Sequence, residues 1–479
     1  MKEHPPILPT AGDAAALPAP SVWQELKNAI RGAEADYTQI GIKRAIFLLA
    51  VPMILELVME STFAVVDIYF VGKLGASAVA TVGLTETYLF LLYSLAMGLS
   101  TAVTAVVARR VGEKNPEAAG LSAVQALFLA LLAAVPFAIA GIFFAKELLA
   151  LMGADAWAIA EGYRYTQWML GGNAVIMLLF VINAIFRGAG DAAIAMRVLW
   201  IANGINILLD PLLIFGWGPI PAMDIEGAAI ATNIGRGAGV LVQLWVLFKG
   251  GKHIRVAWSQ IYWEAKTALN IFRTSLGGVG QMIVATTSWI FLMRILASVG
   301  SEAVAGSTIA MRIMLFTLMP AWGLSNAAAT LVGQNLGADN PARAESAVWK
   351  TGFYNMLFLI GVSVIYFIFS RSLMGIFTDD ERVIAIGSEW LRILACSYFV
   401  YGWWMVSVQA FNGAGDTKTP TLINLVFFWL IQIPLSYFLA ISLGWAHSGV
   451  FWAVFISETS VGLFTLWLFT KGSWKKVKV

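Results

Sequence analysis

From Lys43 to Thr470 the chain alternates long apolar runs with short polar loops. The runs cover about 45–71, 83–107, 121–144, 163–185, 194–215, 227–248, 271–293, 306–332, 348–369, 390–411, 421–443 and 450–470. Each is long enough to cross a bilayer core of roughly 30 Å as a helix. Polar and apolar positions do not alternate inside them, so they predict helices and not barrel strands. The pattern predicts an all-α membrane protein with twelve transmembrane helices. Ahead of the first run, residues 1–20 carry five prolines among alanines and lack the apolar core of a signal peptide, which predicts a disordered arm. Residues 22–37 place Val22, Trp23, Leu26, Ile30, Ala33 and Tyr37 near one helical face, the pattern of a short helix on the membrane surface or of a plain linker.

Composition narrows the class. The 479 residues are 59% hydrophobic and 12% charged, roughly half the charged share of an ordinary soluble domain. A soluble fold of this length cannot hide so much apolar surface, which excludes a soluble enzyme, a nucleic-acid binder and a disordered scaffold. Cys396 is the single cysteine, so no intrachain disulfide can form. His4, His253 and His447 are far apart in sequence and suggest no haem or metal cluster. No Gly-x-x-x-x-Gly-Lys-Ser/Thr loop occurs, which argues against ATP hydrolysis. No cofactor is expected.

The placement of charge says more than its net value of +3. An even number of spans puts both termini on one face. That face and its flanks carry 22 of the 31 Lys and Arg residues, the opposite face carries 8, and Arg236 lies within a helix. Both termini are therefore expected in the cytoplasm of a multi-pass inner-membrane protein.

The sequence repeats itself at a shift of 225 residues. Gly98-Leu99-Ser100 returns as Gly323-Leu324-Ser325, and Gly112-Glu113-Lys114-Asn115-Pro116 as Gly337-Ala338-Asp339-Asn340-Pro341. Phe186-Arg187-Gly188-Ala189-Gly190-Asp191 returns as Phe411-Asn412-Gly413-Ala414-Gly415-Asp416. Between 98–119 and 323–344, 9 of 22 positions are identical. Six helices begin and end on the same face, so the halves are parallel repeats related by a pseudo-two-fold along the membrane normal. This divides the chain into a cytoplasmic arm (1–40), an N-lobe (41–250), a cytoplasmic linker (251–270), a C-lobe (271–470) and a basic tail (471–479). Two lobes facing a central cleft suit a carrier that rocks between inward- and outward-open states.

These features resemble the multidrug and toxic compound extrusion (MATE) transporters over about residues 40–470. The resemblance rests on Pro52-Met53 with Val65-Val66-Asp67-Ile68-Tyr69-Phe70-Val71-Gly72, the paired Gly-x-x-Asn-Pro loops, the paired Gly-Ala-Gly-Asp loops, and Asn206-Ile207-Leu208-Leu209-Asp210-Pro211. It implies a cation-coupled antiporter that expels amphipathic, often cationic, drugs.

Charged side chains within spans are costly and hence functional candidates. The first run holds Glu56, Glu60 and Asp67. At about 100° per residue Glu60 lies roughly 40° and Asp67 roughly 20° from Glu56, one narrow stripe that must face a wet cleft or polar partners. Asp67, Asp210 and Thr232 each lie five or six residues below a glycine of an outer loop (Gly72, Gly216 and Gly227), with Asn206 four residues before Asp210. Two carboxylates, an amide and a hydroxyl at one depth suit a desolvated Na⁺ or a shared proton. The resemblance supports Asp67, Asn206, Asp210 and Thr232 as an N-lobe cation site. The counterparts of Glu56, Glu60, Asp67 and Asp210 at the repeat shift are Gln281, Ala285, Leu292 and Leu435, so the acids serve something confined to the N-lobe. Some family members use acids of the seventh and tenth helices; here those helices offer Gln281 and Tyr401.

Glu56, Glu60 and Gln281 are thus candidates for a substrate contact or proton relay. Arg236 and Glu458, equivalent at a shift of 222, are a candidate pair across the cleft. The expected function is an H⁺- or Na⁺-coupled drug antiporter, not an enzyme, working as a monomer on a small-molecule substrate without nucleic acid. A lipid-linked oligosaccharide flippase of the same superfamily is the alternative; it would need a more basic cavity.

Overall fold

The computed structural model describes residues 21–33, 35–250, 253–477 and 479; the arm at 1–20 lies outside them. The structure is 86% helical, without strands among the described residues. A surface helix α1 (Val22–Arg31) starts at Ser21, whose hydroxyl accepts the Gln24 amide, and ends at Gly32 in the left-handed conformation. It is shorter than the 22–37 pattern. Tyr37 and Ala29 are buried together against Ile46 and Leu49, while Val22 and Trp23 stay exposed.

The N-lobe comprises α2 (Ile42–Gly72), α3 (Ala76–Gly112), α4 (Pro116–Leu151), the broken span α5 (Tyr163–Gly171) and α6 (Ala174–Ala189), then α7 (Ala192–Phe215) and α8 (Asp224–Lys249). The C-lobe comprises α9 (Ala265–Val299), α10 (Ser301–Gly337), α11 (Pro341–Gly375), the broken span α12 (Glu381–Ala395) and α13 (Tyr398–Ala414), then α14 (Lys418–Asn424), α15 (Ile433–Tyr437) and α16 (Ala446–Thr470). Helix α14 runs into α15 through a wider π-helical stretch, Leu425–Gln432. Ten spans are individually long and apolar enough to cross a membrane, and α12 with α13, bent by 63°, makes an eleventh. Helix α2, 31 residues long, with acids at its middle and along its outer half, completes twelve. The linker is shorter than expected, because α9 already begins at Ala265.

Both broken spans occupy the same place in the repeat. Gly172-Asn173 and Ser397 stand 225 or so residues apart, and neither break contains proline. At each, short-range bonds replace helical ones: Asn173 N–H to Leu170 O (3.3 Å), and Ser397 N–H to Leu394 O (2.8 Å), with the Ser397 hydroxyl on the same carbonyl. Polar side chains inserted into the helical ladder account for the bend.

The repeated glycines lie where helices approach most closely. A Cβ on Gly323 of α10 would lie 2.8 Å from the backbone of Ile54 in α2. A Cβ on its counterpart, Gly98 of α3, would collide with Val279 of α9, the counterpart of Ile54. Toward the face carrying the termini, Gly112 abuts Gln334 and Gly337 abuts the Arg109 carbonyl, again a related pair. Within the lobes, Gly188 packs on Thr104 and Gly413 on Ala329. Gly190 and Gly415, at φ +93° and +90°, take the left-handed cap that ends α6 and α13. The seam between lobes is therefore closed from the terminal face to mid-helix. There Thr330 and Gln334 of the C-lobe donate to the Arg187 and Gly188 carbonyls. Arg109 donates to Ala414 O (3.3 Å) and to Val477 O (3.0 Å), so the tail also crosses the seam.

Candidate cation and substrate site

The acids of α2 meet different partners at successive depths. Glu56 is buried; it accepts from Arg187 Nη1 at 2.8 Å and Asn183 Nδ2 at 3.2 Å, both on α6. Its counterpart Gln281 donates to Asn412 Oδ1 at 3.0 Å, and Asn412 is the counterpart of Arg187. Each lobe thus joins its first helix to its fourth span at the same point, by an ion pair in one and an amide pair in the other. Gln281 also donates to Thr417 O, which ties it to the loop of its own lobe.

One turn outward, Glu60 accepts from Arg236 Nη2 at 3.1 Å and Asn203 Nδ2 at 3.2 Å, with its side chain 33% exposed. Arg236 is also 3.4 Å from the Tyr93 hydroxyl and lies over the Phe63 ring. The expected Arg236–Glu458 pair does not form. Equivalent repeat positions face the interior of their own lobes, so Arg236 satisfies its charge on Glu60. Glu458 on α16 is buried beside Tyr398 and Tyr401 of α13, with no ion pair among the described residues.

Asn206 of α7 donates to the Thr232 hydroxyl of α8 at 3.1 Å. Helical spacing puts Asp210 on the same face of α7, fully buried. Neither Asp210 carboxylate oxygen nor Asn206 Oδ1 makes a hydrogen bond of normal geometry, although the Asn206 side chain lies within reach of Asp210. Asp67 of α2 is half-buried and within electrostatic range of Asp210, Arg236 and Glu86. Buried oxygens without a well-formed hydrogen bond are rare and call for a ligand or a proton. A carboxylate, an amide oxygen and a hydroxyl around one point, with a second carboxylate toward the open side, have the hard oxygen chemistry of a small monovalent cation.

Several participants escaped the sequence reading. Arg187 belongs to a repeated glycine motif, yet it lies in the last turn of α6 and reaches inward to Glu56. Asn203 stands three residues before Asn206 and seven before Asp210, a helical spacing that marks one face. Glu86 sits near the outer end of α3 without a counterpart acid to draw notice, and no pattern identifies Tyr93.

Two helical lobes with buried polar groups beneath a solvent-reachable acidic stripe define a polytopic membrane transporter. The MatE family profile matches residues 52–212 and again 279–438, once per lobe, and the chain belongs to that family. It is a transporter and not an enzyme. It is 27% identical over 446 residues to the "Probable multidrug resistance protein NorM" of Thermotoga maritima, covering 91% of this chain and 94% of that one. It is 26% identical over 407 residues to a "FAD transporter" of Shewanella oneidensis, covering 82% and 87%. Its fold is similar to a multidrug resistance MATE transporter solved in an outward-facing conformation, at TM-score 0.84 and 24% identity, covering 92% and 98%.

Proposed function

We propose that the chain is an H⁺- or Na⁺-coupled antiporter that exports amphipathic, cationic small molecules by alternating access, as a monomer in the inner membrane. Both termini and the closed end of the seam lie in the cytoplasm, the assignment the basic residues favour. The observation that carries the coupling is the set of oxygens on Asp210 and Asn206 without a well-formed hydrogen bond, beside Thr232 and below Asp67. In this conformation the far end of the stripe is open: the Glu60–Arg236 pair is part-exposed, and an exposed ion pair within a span faces water and not lipid.

The cycle follows from charge. An entering cation passes Asp67 and settles on Asp210, Asn206 and Thr232. With its carboxylates neutralised, the pocket costs less to bury, so the state closed on that side gains population. The same neutralisation removes the attraction that Asp67 offers to a cationic substrate, which leaves outward. After the lobes rock, the cation dissociates into the cytoplasm and the acids again attract substrate. Relatives named for multidrug resistance and multidrug export support the export of small molecules. A flippase or flavin carrier would need free positive charge in the cleft, and Arg236 is already held by Glu60 and Tyr93.

The test is efflux of a cationic dye from cells making the wild type, Asp67→Asn or Asp210→Asn. Both variants are expected to reach the membrane at wild-type levels and to lose efflux. Wild-type efflux by Asp210→Asn would remove the proposed site from the mechanism.

A further inference from the structure

A cavity of about 660 Å³ opens at the terminal face, on the outer margin of the seam and away from the acidic stripe. Lys43 of α2 forms its N-lobe wall; Trp349, Lys350, Phe353 and Tyr354 of α11 and Trp403 of α13 form its C-lobe wall. Neither lysine has an ion pair among the described residues, and the one acid in the lining, Glu345, is held by Lys475 at 2.6 Å. The site therefore carries uncompensated positive charge against an aromatic wall. The Trp349 and Trp403 rings pack at 5.2 Å, and the Trp403 indole N–H is fixed on Met356 Sδ at 3.1 Å.

Depth identifies what such a wall meets. Helix α11 has 35 residues, so it is ~52 Å long and about 11 Å of it stands beyond a ~30 Å bilayer core at each end. Lys350 lies roughly 14 Å from its start, at the headgroup boundary where Trp and Lys side chains concentrate. Phe353 continues the surface toward the membrane centre and is 47% exposed.

We propose that this cavity binds one anionic phospholipid, its phosphate held by Lys43 and Lys350 and its acyl chains lying along Trp349, Phe353 and Trp403. A soluble anion has no use for the aromatic wall, and a zwitterionic lipid brings its own ammonium group beside the two lysines, cancelling the charge its phosphate supplies. Basic pockets between transmembrane helices recognise lipid headgroups in this way. Because the lysines belong to different lobes, the lipid bridges the seam and favours the conformation closed on this face.

The test compares the full chain and Lys43→Gln/Lys350→Gln in detergent, titrated with phosphatidylglycerol, phosphatidylcholine or soluble glycerophosphoglycerol, with bound lipid counted by native mass spectrometry. The wild type is expected to retain one phosphatidylglycerol and to prefer it to phosphatidylcholine. The double variant is expected to lose roughly thirtyfold in affinity, each lysine near the surface contributing about fivefold, while melting like the wild type in lipid-free detergent because both side chains are exposed. Equal binding of the two lipids, unchanged binding by the variant, or displacement by the soluble headgroup at equal concentration would overturn the assignment. Lys73→Gln/Lys146→Gln, on the opposite face, should leave binding intact; a matching loss there would reduce the effect to general charge and also overturn it.

Discussion

Glu56→Gln removes the negative charge from an ion pair that the C-lobe builds without charge. Glu56 and Arg187 are 2.8 Å apart, with side chains 7% and 18% exposed. Deleting one partner of a buried pair costs about 3–5 kcal/mol, because the other charge is left without compensation. The lower end applies here, since Arg187 keeps some exposure and a glutamine oxygen still accepts from Asn183. About 3 kcal/mol corresponds to a fall in melting temperature of roughly 6–12 °C for a unit the size of one lobe. The double variant Glu56→Gln/Arg187→Asn installs the residues that Gln281 and Asn412 already use at the equivalent point. It should recover most of the loss, to within about 1 kcal/mol of wild type. The assay is thermal unfolding of the purified variants in detergent, paired with dye efflux from reconstituted vesicles. Glu56 assembles α2 onto α6, so the double variant should also transport. If Glu56→Gln melts like the wild type and neither variant transports, Glu56 acts on the coupling ion and the structural assignment is wrong.

Other perturbations probe separate parts of the account. Gly98→Val and Gly323→Val each place a branched side chain in a backbone-to-backbone approach, so both should abolish transport and speed thiol labelling of Ala105→Cys at the closed seam in a Cys396→Ser background. Unchanged labelling would separate those glycines from seam closure. Glu458→Gln should hold or raise the melting temperature, since a buried acid without an ion pair gives way to a neutral isostere; a large fall would reveal a hidden partner. The hydroxyl and amide of Thr267 hold the Glu264 carboxyl below its usual range at the start of α9. A depressed value means that the cap stabilises above the ordinary carboxylate range and is lost as pH falls through the lowered value. Amide-exchange protection at Thr267 should fall in that window, and should be low at every pH in Glu264→Ala.

The spans were legible because bilayer thickness dictates the length of an apolar run, so 194–215 and 450–470 lie close to α7 and α16. Their ends were less so: α3 continues seven residues before and five after its apolar core, because helices stand out of the membrane into water. The break at Ser397 was invisible, for a lone serine is common inside an apolar span and only the folded backbone shows its hydroxyl and amide both turned onto the Leu394 carbonyl. The motif glycines were conspicuous, but their roles differ: Gly190 and Gly415 end helices in the left-handed conformation, whereas Gly98 and Gly323 matter for a contact between lobes that spacing cannot reveal. Asp67, Asn206, Asp210 and Thr232 were named from depth and helical phase. Which acids pair with basic side chains, Glu56 with Arg187 and Glu60 with Arg236, depended on the direction of those partners, which a sequence does not specify.

The most direct measurement is dye efflux from vesicles holding the wild type or Asp210→Asn, with a Na⁺ gradient and a pH gradient imposed separately and no nucleotide present. The account predicts that at least one gradient drives efflux by the wild type and that neither drives it by the variant. Gradient-driven efflux through Asp210→Asn at the wild-type rate, or no response of the wild type to either gradient, would contradict it.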